Sequence, residues 1–446
     1  MGIPFRRLDQ LLKTPEAGGV PGIWAACTAH LLALEAVLRQ GRLDGSAVLI
    51  EATASQVNLE GGYTGATPGG FRGTVRRMAR LVGLPPERLF LGADHLGPYP
   101  WRRLPAPQAL ARASALVRAC VMAGFHKLHL DAAVVCAGDP TAADGSLAPE
   151  LAVERTVRLC RAVADAVRER GLRELPWLVV GTDTPVPGGG RIPGGEAPSV
   201  TSPEALERTI VETRAALAAA GLEVLWPRVL AVVVQPGLEF YPEAVRDYDP
   251  TRCRGLRRVL AVHPSLVFEA HSTDFQRPEA LRRLVADGFA ILKVGPRLTF
   301  ALREAVEALA RVEAILARRH RGLAPSGVMQ ALESAMLAQP DHWREHYRGE
   351  AADLTYLRRY GLSDRIRYYW SHPEVVRRLE HLLANLEAAP PPPALLSQFL
   401  PRQAEALREG RLVNRPRDLI RHKIMEVTGV YARACGAAGE DRPHGG

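Results

Sequence analysis

A chain of 446 residues, 47% hydrophobic and 24% charged, is long enough to bury one large core with a smaller satellite, as an ordinary soluble enzyme does. Its net charge of +9 comes from arginines scattered among acidic residues, without a long basic block and with few aromatics, which argues against a nucleic-acid partner. No apolar run reaches the length of a membrane span, residues 1–7 lack a signal-peptide core, and six dispersed cysteines without a C-x-x-C pair predict a reduced, cytoplasmic protein.

Eight short apolar runs recur in a βα rhythm. The first, 22–27, precedes a helix expected over 29–40, where Leu31, Leu32, Leu34, Val37 and Leu38 recur at helical spacing. The second, 47–53, leads to the glycine-rich loop Gly61-Gly62-Tyr63-Thr64-Gly65. The third, 89–94, stops at Asp94-His95-Leu96-Gly97-Pro98, with a helix expected over 104–123. The fourth, 126–131, carries His129 and Asp131 ahead of a helix over 149–170; Cys136 nearby reads as a small packing residue. The fifth, 177–183, opens into a long Pro/Gly loop, 184–195, either a substrate lid or a surface excursion, before a helix over 203–220. The sixth is 229–235. The seventh, 266–271, runs into Glu269-Ala270-His271-Ser272-Thr273-Asp274, and the eighth, 289–294, contains Lys293.

Runs this continuously apolar read as strands covered on both faces of a parallel sheet. Eight of them alternating with helices predict an α/β fold, a (β/α)8 TIM barrel over residues 1–298. An open doubly wound sheet is the alternative, but no G-x-G-x-x-G follows the first strand. Residues 299–446 read as a C-terminal helical extension packed on the barrel. It holds Ser363-Asp364-Arg365-Ile366-Arg367-Tyr368-Tyr369-Trp370, too rich for a linker, and a stiff proline run, 390–393.

The strand ends carry a ring of polar residues: His30, Glu51, Asp94 with His95, His129 with Asp131, Asp183, Gln235, Glu269 with His271, and Lys293. A lone Asp there ordinarily caps a turn, and a lone His is ordinarily a satisfied core residue. Convergence of several on one rim points to a metal-assisted site with His95 and His271 as ligands and Asp94 and Asp131 as candidates to move a proton. Lys293 reads as electrostatic support or as a Schiff-base lysine. Ser272, Thr273, Gly295, Arg297 and Thr299 follow strands seven and eight, where barrels commonly seat phosphate; ordinary helix capping is the other reading.

Several motifs resemble the GatZ/KbaZ family of tagatose-bisphosphate aldolase subunits: Ile50-Glu51-Ala52-Thr53, Gly92-Ala93-Asp94-His95-Leu96-Gly97-Pro98, Cys136-Ala137-Gly138-Asp139-Pro140, Val234-Gln235-Pro236-Gly237, Glu269-Ala270-His271-Ser272-Thr273-Asp274, Leu292-Lys293-Val294-Gly295-Pro296 and the 363–370 segment. The resemblance covers nearly the whole chain. It implies a barrel with a helical C-terminal addition, and either a partner of a class II aldolase catalytic subunit or a ketohexose(-phosphate) 4-epimerase. A distant likeness to zinc-dependent class II aldolases implies that Asp94 supplies the base and His95 and His271 hold a divalent metal (zinc, manganese or nickel), aided by Asp183, Gln235 or Glu51. Gln235 stands where those aldolases carry a further histidine.

The expected reaction is epimerisation of fructose and tagatose, free or phosphorylated, by a retro-aldol route. Asp94 is the leading base and Asp131 the second, a buried carboxyl having its pKa raised. Glu269 and Lys293 complete the catalytic set. His30, Ser272, Thr273, Asp274, Gly295 and Arg297 are the substrate- and phosphate-binding candidates. The chain is expected to take a small ketose or ketose phosphate, as a homo-oligomer or beside an aldolase subunit.

Overall fold

The computed structural model describes residues 8–13, 22–141, 145–172, 174–181, 188–190 and 198–437. Eight parallel strands close a barrel: Ile23–Cys27, Val48–Thr53, Leu89–Leu96, Lys127–Leu130, Trp177–Val180, Val229–Val233, Val267–Ala270 and Ile291–Val294. Each pairs with its sequence neighbours, and the last pairs with the first through Ile23↔Ile291. Helices of the outer ring follow the strands, from Leu31–Asp44 after the first to Pro296–Ala317 after the eighth. The expected barrel is therefore present.

Two apolar layers hold it together. One lies between strands and helices, with Leu34, Leu38, Leu91, Leu128, Leu159 and Leu292 inside it. The other fills the lower barrel with Ile23, Leu49, Phe90, Val179 and Ile291, and the short helix Leu8–Lys13 plugs it with Leu8 and Leu12. With the bottom sealed by hydrocarbon, the buried polar groups begin above that layer and extend to the C-terminal ends of the strands, where barrel sites lie.

The expected boundary at 298/299 falls inside the helix Pro296–Ala317. That 22-residue helix is buried on nearly every face, because the C-terminal helices pack on its outer side. The last of them, Pro416–Ala434, packs against Leu31–Asp44, Pro278–Ala286 and Pro296–Ala317 and reaches the first strand. It thus joins the first, seventh and eighth ring helices. Its Tyr431 hydroxyl donates to the Thr273 carbonyl oxygen (2.7 Å), and its ring lies 6.2 Å from that of Trp24. In the proline run, the last member serves as the first residue of helix Pro393–Phe399, where a missing N–H costs nothing. Among the described residues, no helix is long and apolar enough to cross a membrane.

Candidate active site

The site rises in levels along the barrel axis. Strand register sets the lowest, since Glu51 pairs with Gly92 and Gly92 with Lys127. A Cβ on Gly92 would lie 2.5 Å from Glu51 Oε1, so the glycine leaves the gap through which Glu51 reaches the next strand but one. There Glu51 Oε1 lies 2.6 Å from Lys127 Nζ, and Lys127 also meets Glu269 at 2.5 Å. Lys293 joins from the eighth strand, paired with Glu51, with Asp94 (2.8 Å) and with Glu269 (3.7 Å). Lys127, Glu51 and Glu269 have fully buried side chains. Alternating charges of this kind must be mutually satisfied, because each alone would be severely destabilising in a dry interior.

One turn of alternation higher, three imidazoles face one another. Ring centroids are 4.8 Å apart for His95 and His271, 4.9 Å for His129 and His271, and 5.2 Å for His95 and His129. Each ring has a carboxylate on one nitrogen: His95 Nδ1 lies 2.8 Å from Asp131, His129 Nδ1 2.9 Å from Asp94, and His271 Nε2 3.1 Å from Glu269. The His95 backbone N–H also points at His129 Nδ1 (3.2 Å), a bond that competes with the one to Asp94 because one nitrogen cannot both accept and donate. An ionised Asp94 only accepts, so Nδ1 carries the proton and bonds to Asp94. Nε2 of His129 is then a buried lone pair without a partner among the described residues. A carboxylate on one nitrogen and a free lone pair on the other is how metal-ligating histidines are oriented. The potential ligand atoms of Asp94, His129, Glu269 and His271 lie within 4.8 Å of one another. The donor set is therefore compatible with a divalent cation.

Backbone strain sits at two of the stations. His95 adopts φ +48° beside a register shift in the third strand, and Ser272, directly after His271, adopts φ +55°. Left-handed conformations at non-glycine residues are kept where they aim a side chain. Electrostatics follow the pairing. Burial alone would raise Asp94, but His95, then Lys293, then the hydrogen bond with His129 hold it well below the usual carboxylate range. The same opposition, led by Lys127, holds Glu269 well below its usual range, and the His95 hydrogen bond lowers Asp131. Burial pushes His271 down to about 3. Lys293 is raised well above its usual range: burial works against its charge, and Asp94 and the other neighbouring anions outweigh it. The expectation of a raised carboxyl at Asp94 is thus reversed, because the neighbouring cations outweigh desolvation.

With the centre in view, the family can be assigned. A model of the D-tagatose-1,6-bisphosphate aldolase subunit GatZ/KbaZ-like family matches residues 8–436. The chain belongs to that family. A solved structure described as a probable tagatose 6 phosphate kinase from Sinorhizobium meliloti 1021 is 40% identical, covering 93% of this chain and 100% of that one, with a TM-score of 0.82. The YdjI aldolase from Escherichia coli K12 is 12% identical over 82% of this chain and 90% of its own, at a TM-score of 0.38. The fructose-bisphosphate aldolase from Campylobacter jejuni is 13% identical over 82% and 88%, at 0.39.

In this GatZ/KbaZ-like chain the remaining expected residues divide. Asp94, His95, His271, Ser272, Asp274, Lys293 and Gly295 line the cavity above the histidines. Glu51 lies beneath it, held by the two lysines, and its carboxylate also lies within 4.8 Å of potential ligand atoms of Cys27 and Asp94. Gln235 does not line the cavity: its side-chain oxygen accepts from Gly237 N–H (2.8 Å) and closes a turn after the sixth strand. That bond engages the oxygen that would have to serve as a ligand. His30 occupies the N-cap position of the helix Leu31–Asp44 without a side-chain capping bond, with its ring 5.7 Å from that of Trp370. Thr273 donates to the Lys293 carbonyl oxygen (2.6 Å), and Arg297 lies against Phe275 and Phe300 with Glu304 at 3.2 Å. Neither Thr273 nor Arg297 reaches the cavity wall. Thr299 holds Asp364 of the tail (2.6 Å). Asp183 and most of the 184–195 loop lie outside the described residues.

Three contributions were not assigned from sequence: His129 as the third imidazole, Lys127 as the bridge beneath, and Arg367 with Tyr63 and Tyr368 in the cavity wall. The first two had a signal, since Lys127, His129 and Asp131 alternate along one strand. Arg367 and Tyr368 had only the density of charge and aromatics in 363–370.

Proposed function

We propose that this chain is a metal-dependent epimerase that inverts C4 of a ketohexose or ketohexose phosphate, interconverting the fructose and tagatose configurations. The observation that carries the reading is the triangle of His95, His129 and His271. Each is oriented by its own carboxylate, and all stand beside an ionised Asp94 and a buried Lys293. A divalent cation held there supplies a Lewis acid for the negative charge that develops on the substrate. Three imidazoles suit zinc or nickel better than manganese.

The proton at C4 is not acidic, so direct deprotonation is a poor route. In a retro-aldol route Asp94 accepts the proton of the C4 hydroxyl. The C3–C4 bond breaks, leaving an aldehyde at C4 and an enediolate on the three carbons from C1 to C3. The aldehyde turns its other face, the bond re-forms, and Asp94 returns the proton to the C4 oxygen. No atom or electron pair is gained or lost. Lys293, 2.8 Å from Asp94, keeps the carboxylate ionised before it accepts the proton and holds it in place until it returns it.

The family's description as an aldolase subunit favours a second reading, a partner that does no chemistry itself. One assay separates them. The purified chain is incubated with fructose, tagatose and their phosphates, with and without zinc, nickel or manganese, and epimer is measured. Metal-dependent epimer from the isolated chain is expected. Its absence under every metal, with tight association to a class II aldolase subunit, would hand the role to the second reading.

A further inference from the structure

At the end of the barrel away from the histidines, a second cavity of about 270 Å³ opens beside the N-terminal plug. Leu8 of the plug walls it, with Phe90, His126 and Trp177 from the entries to the third, fourth and fifth strands. Four arginines line it as well. Arg72 and Arg76 come from the helix Pro68–Val82, Arg170 ends the helix Pro149–Arg170, and Arg228 precedes the sixth strand.

The first three form a cluster. A Cβ on Gly124 would lie 3.3 Å from Arg170 Nη1 and 3.9 Å from Arg72 Nε, so these two groups flank one glycine. Arg76 stands one helical turn from Arg72, and burial, followed by the charges of Arg72 and Arg80, lowers its pKa. None of the three has a carboxylate at salt-bridge distance among the described residues. Glu174, the acidic residue of the same wall, is exposed. Arg170 donates to the Val121 carbonyl oxygen (3.0 Å), and Arg72 Nε is buried without a hydrogen-bond partner. Like charges a turn apart repel, and a buried donor left unmade is costly, so the cluster is incomplete without an anion.

His126 adds a donor to the same wall. Its Nδ1 accepts from Leu91 N–H (2.9 Å), and burial, followed by Arg76, pushes its pKa down to about 4. Near neutral pH its one proton therefore sits on Nε2. Much of the remaining lining is hydrocarbon, from Leu8, Phe90, Phe125, Leu172 and Leu175, and the Trp177 ring carries Arg228 at 3.7 Å. We propose that this cavity is an accessory binding site, separate from the reacting centre, for a small phosphate monoester with an apolar body. Three guanidinium groups and an imidazole N–H suit a tetrahedral dianion with three free oxygens, whereas a carboxylate is filled by a single guanidinium fork. Leu8, Phe90 and Phe125 give the body a surface on which to leave water.

The test is calorimetric titration of the full chain with phenyl phosphate and with inorganic phosphate. Phenyl phosphate is expected to bind the more tightly, and inorganic phosphate to compete with it. Arg72→Gln and Arg76→Gln are each expected to weaken phenyl phosphate at least about tenfold, the scale of a hydrogen bond to a charged group, with the melting temperature near wild type. Arg72→Lys is expected to recover part of the loss. Arg76 is exposed, so its variant decides the matter if Arg72→Gln fails to fold. No binding by wild type at millimolar phenyl phosphate, equal binding of the two anions, or wild-type affinity in Arg76→Gln overturns the proposal.

Discussion

The carboxylates behind the three histidines differ in what their loss removes. Asp131 touches only the far nitrogen of His95. Asp131→Asn is expected to weaken metal binding by about 10–100-fold, with turnover restored at saturating metal. Asp94 holds His129 and also lines the cavity. Asp94→Asn is expected to lose about 100–10,000-fold in kcat even at saturating metal, and His129→Ala or His271→Ala to lose the metal itself. Elemental analysis together with kcat against metal concentration checks all four. A normal kcat in Asp94→Asn would move the base to Asp131 or Glu269. At this scale sequence reading was uneven for a physical reason. Alternation shows that Lys127, His129 and Asp131 share a face, but which side chains they meet depends on cross-barrel register. It was register, through Gly92, that brought Glu51 to Lys127. Desolvation was read correctly as present at Asp94, but its outcome was not, since it is outweighed jointly by His95 on the same strand and by Lys293 and His129 from other strands.

Among the elements, the strands were legible because each is a continuous apolar run, and their observed bounds differ from expectation by a few residues at the ends. The third strand runs on to Leu96, past the expected end at Asp94, because the register shift and the left-handed His95 let pairing resume at Leu96↔Leu130. The small hairpin after the sixth strand, Glu239–Phe240 paired with Val245–Arg246, was not foreseen; two-residue strands leave no periodicity to read. Its Glu239 is 6% exposed, and burial pushes its carboxyl up to about 7. The folded-state value thus exceeds the unfolded one, so the folded protein binds the extra proton between them. This contribution to stability is full below about pH 4.5 and is lost as pH rises through about 7. At about 1.4 kcal/mol per unit, the loss is at most about 3.5 kcal/mol. Chemical denaturation at pH 5 and pH 8 is expected to show wild type losing stability relative to Glu239→Gln; parallel curves would reject it.

On the scale of the whole molecule, the barrel and its tail are one packed unit. Sequence reading placed the tail on the barrel but cut the two at 298/299, inside a helix. Helical periodicity shows that a face is apolar without showing which neighbour covers it. Removal of the helix Pro416–Ala434 uncovers apolar faces of three ring helices and leaves the Thr273 carbonyl without its Tyr431 donor. A chain ending before Pro416 is expected to be insoluble or to lose its near-ultraviolet circular dichroism, while Tyr431→Phe costs about 1 kcal/mol by denaturant titration. A soluble, active truncation would contradict the packing. The same helix sets a schedule for the newborn chain. Thr428 on it donates to Gln40 on the first ring helix, 388 positions earlier (3.1 Å). At roughly 5–20 residues per second, synthesis leaves that first helix with its outer flank bare for about 20–80 seconds. Once the eighth strand, Ile291–Val294, is made, the nascent protein is all but a barrel, yet it carries an open apolar seam that other chains can stick to.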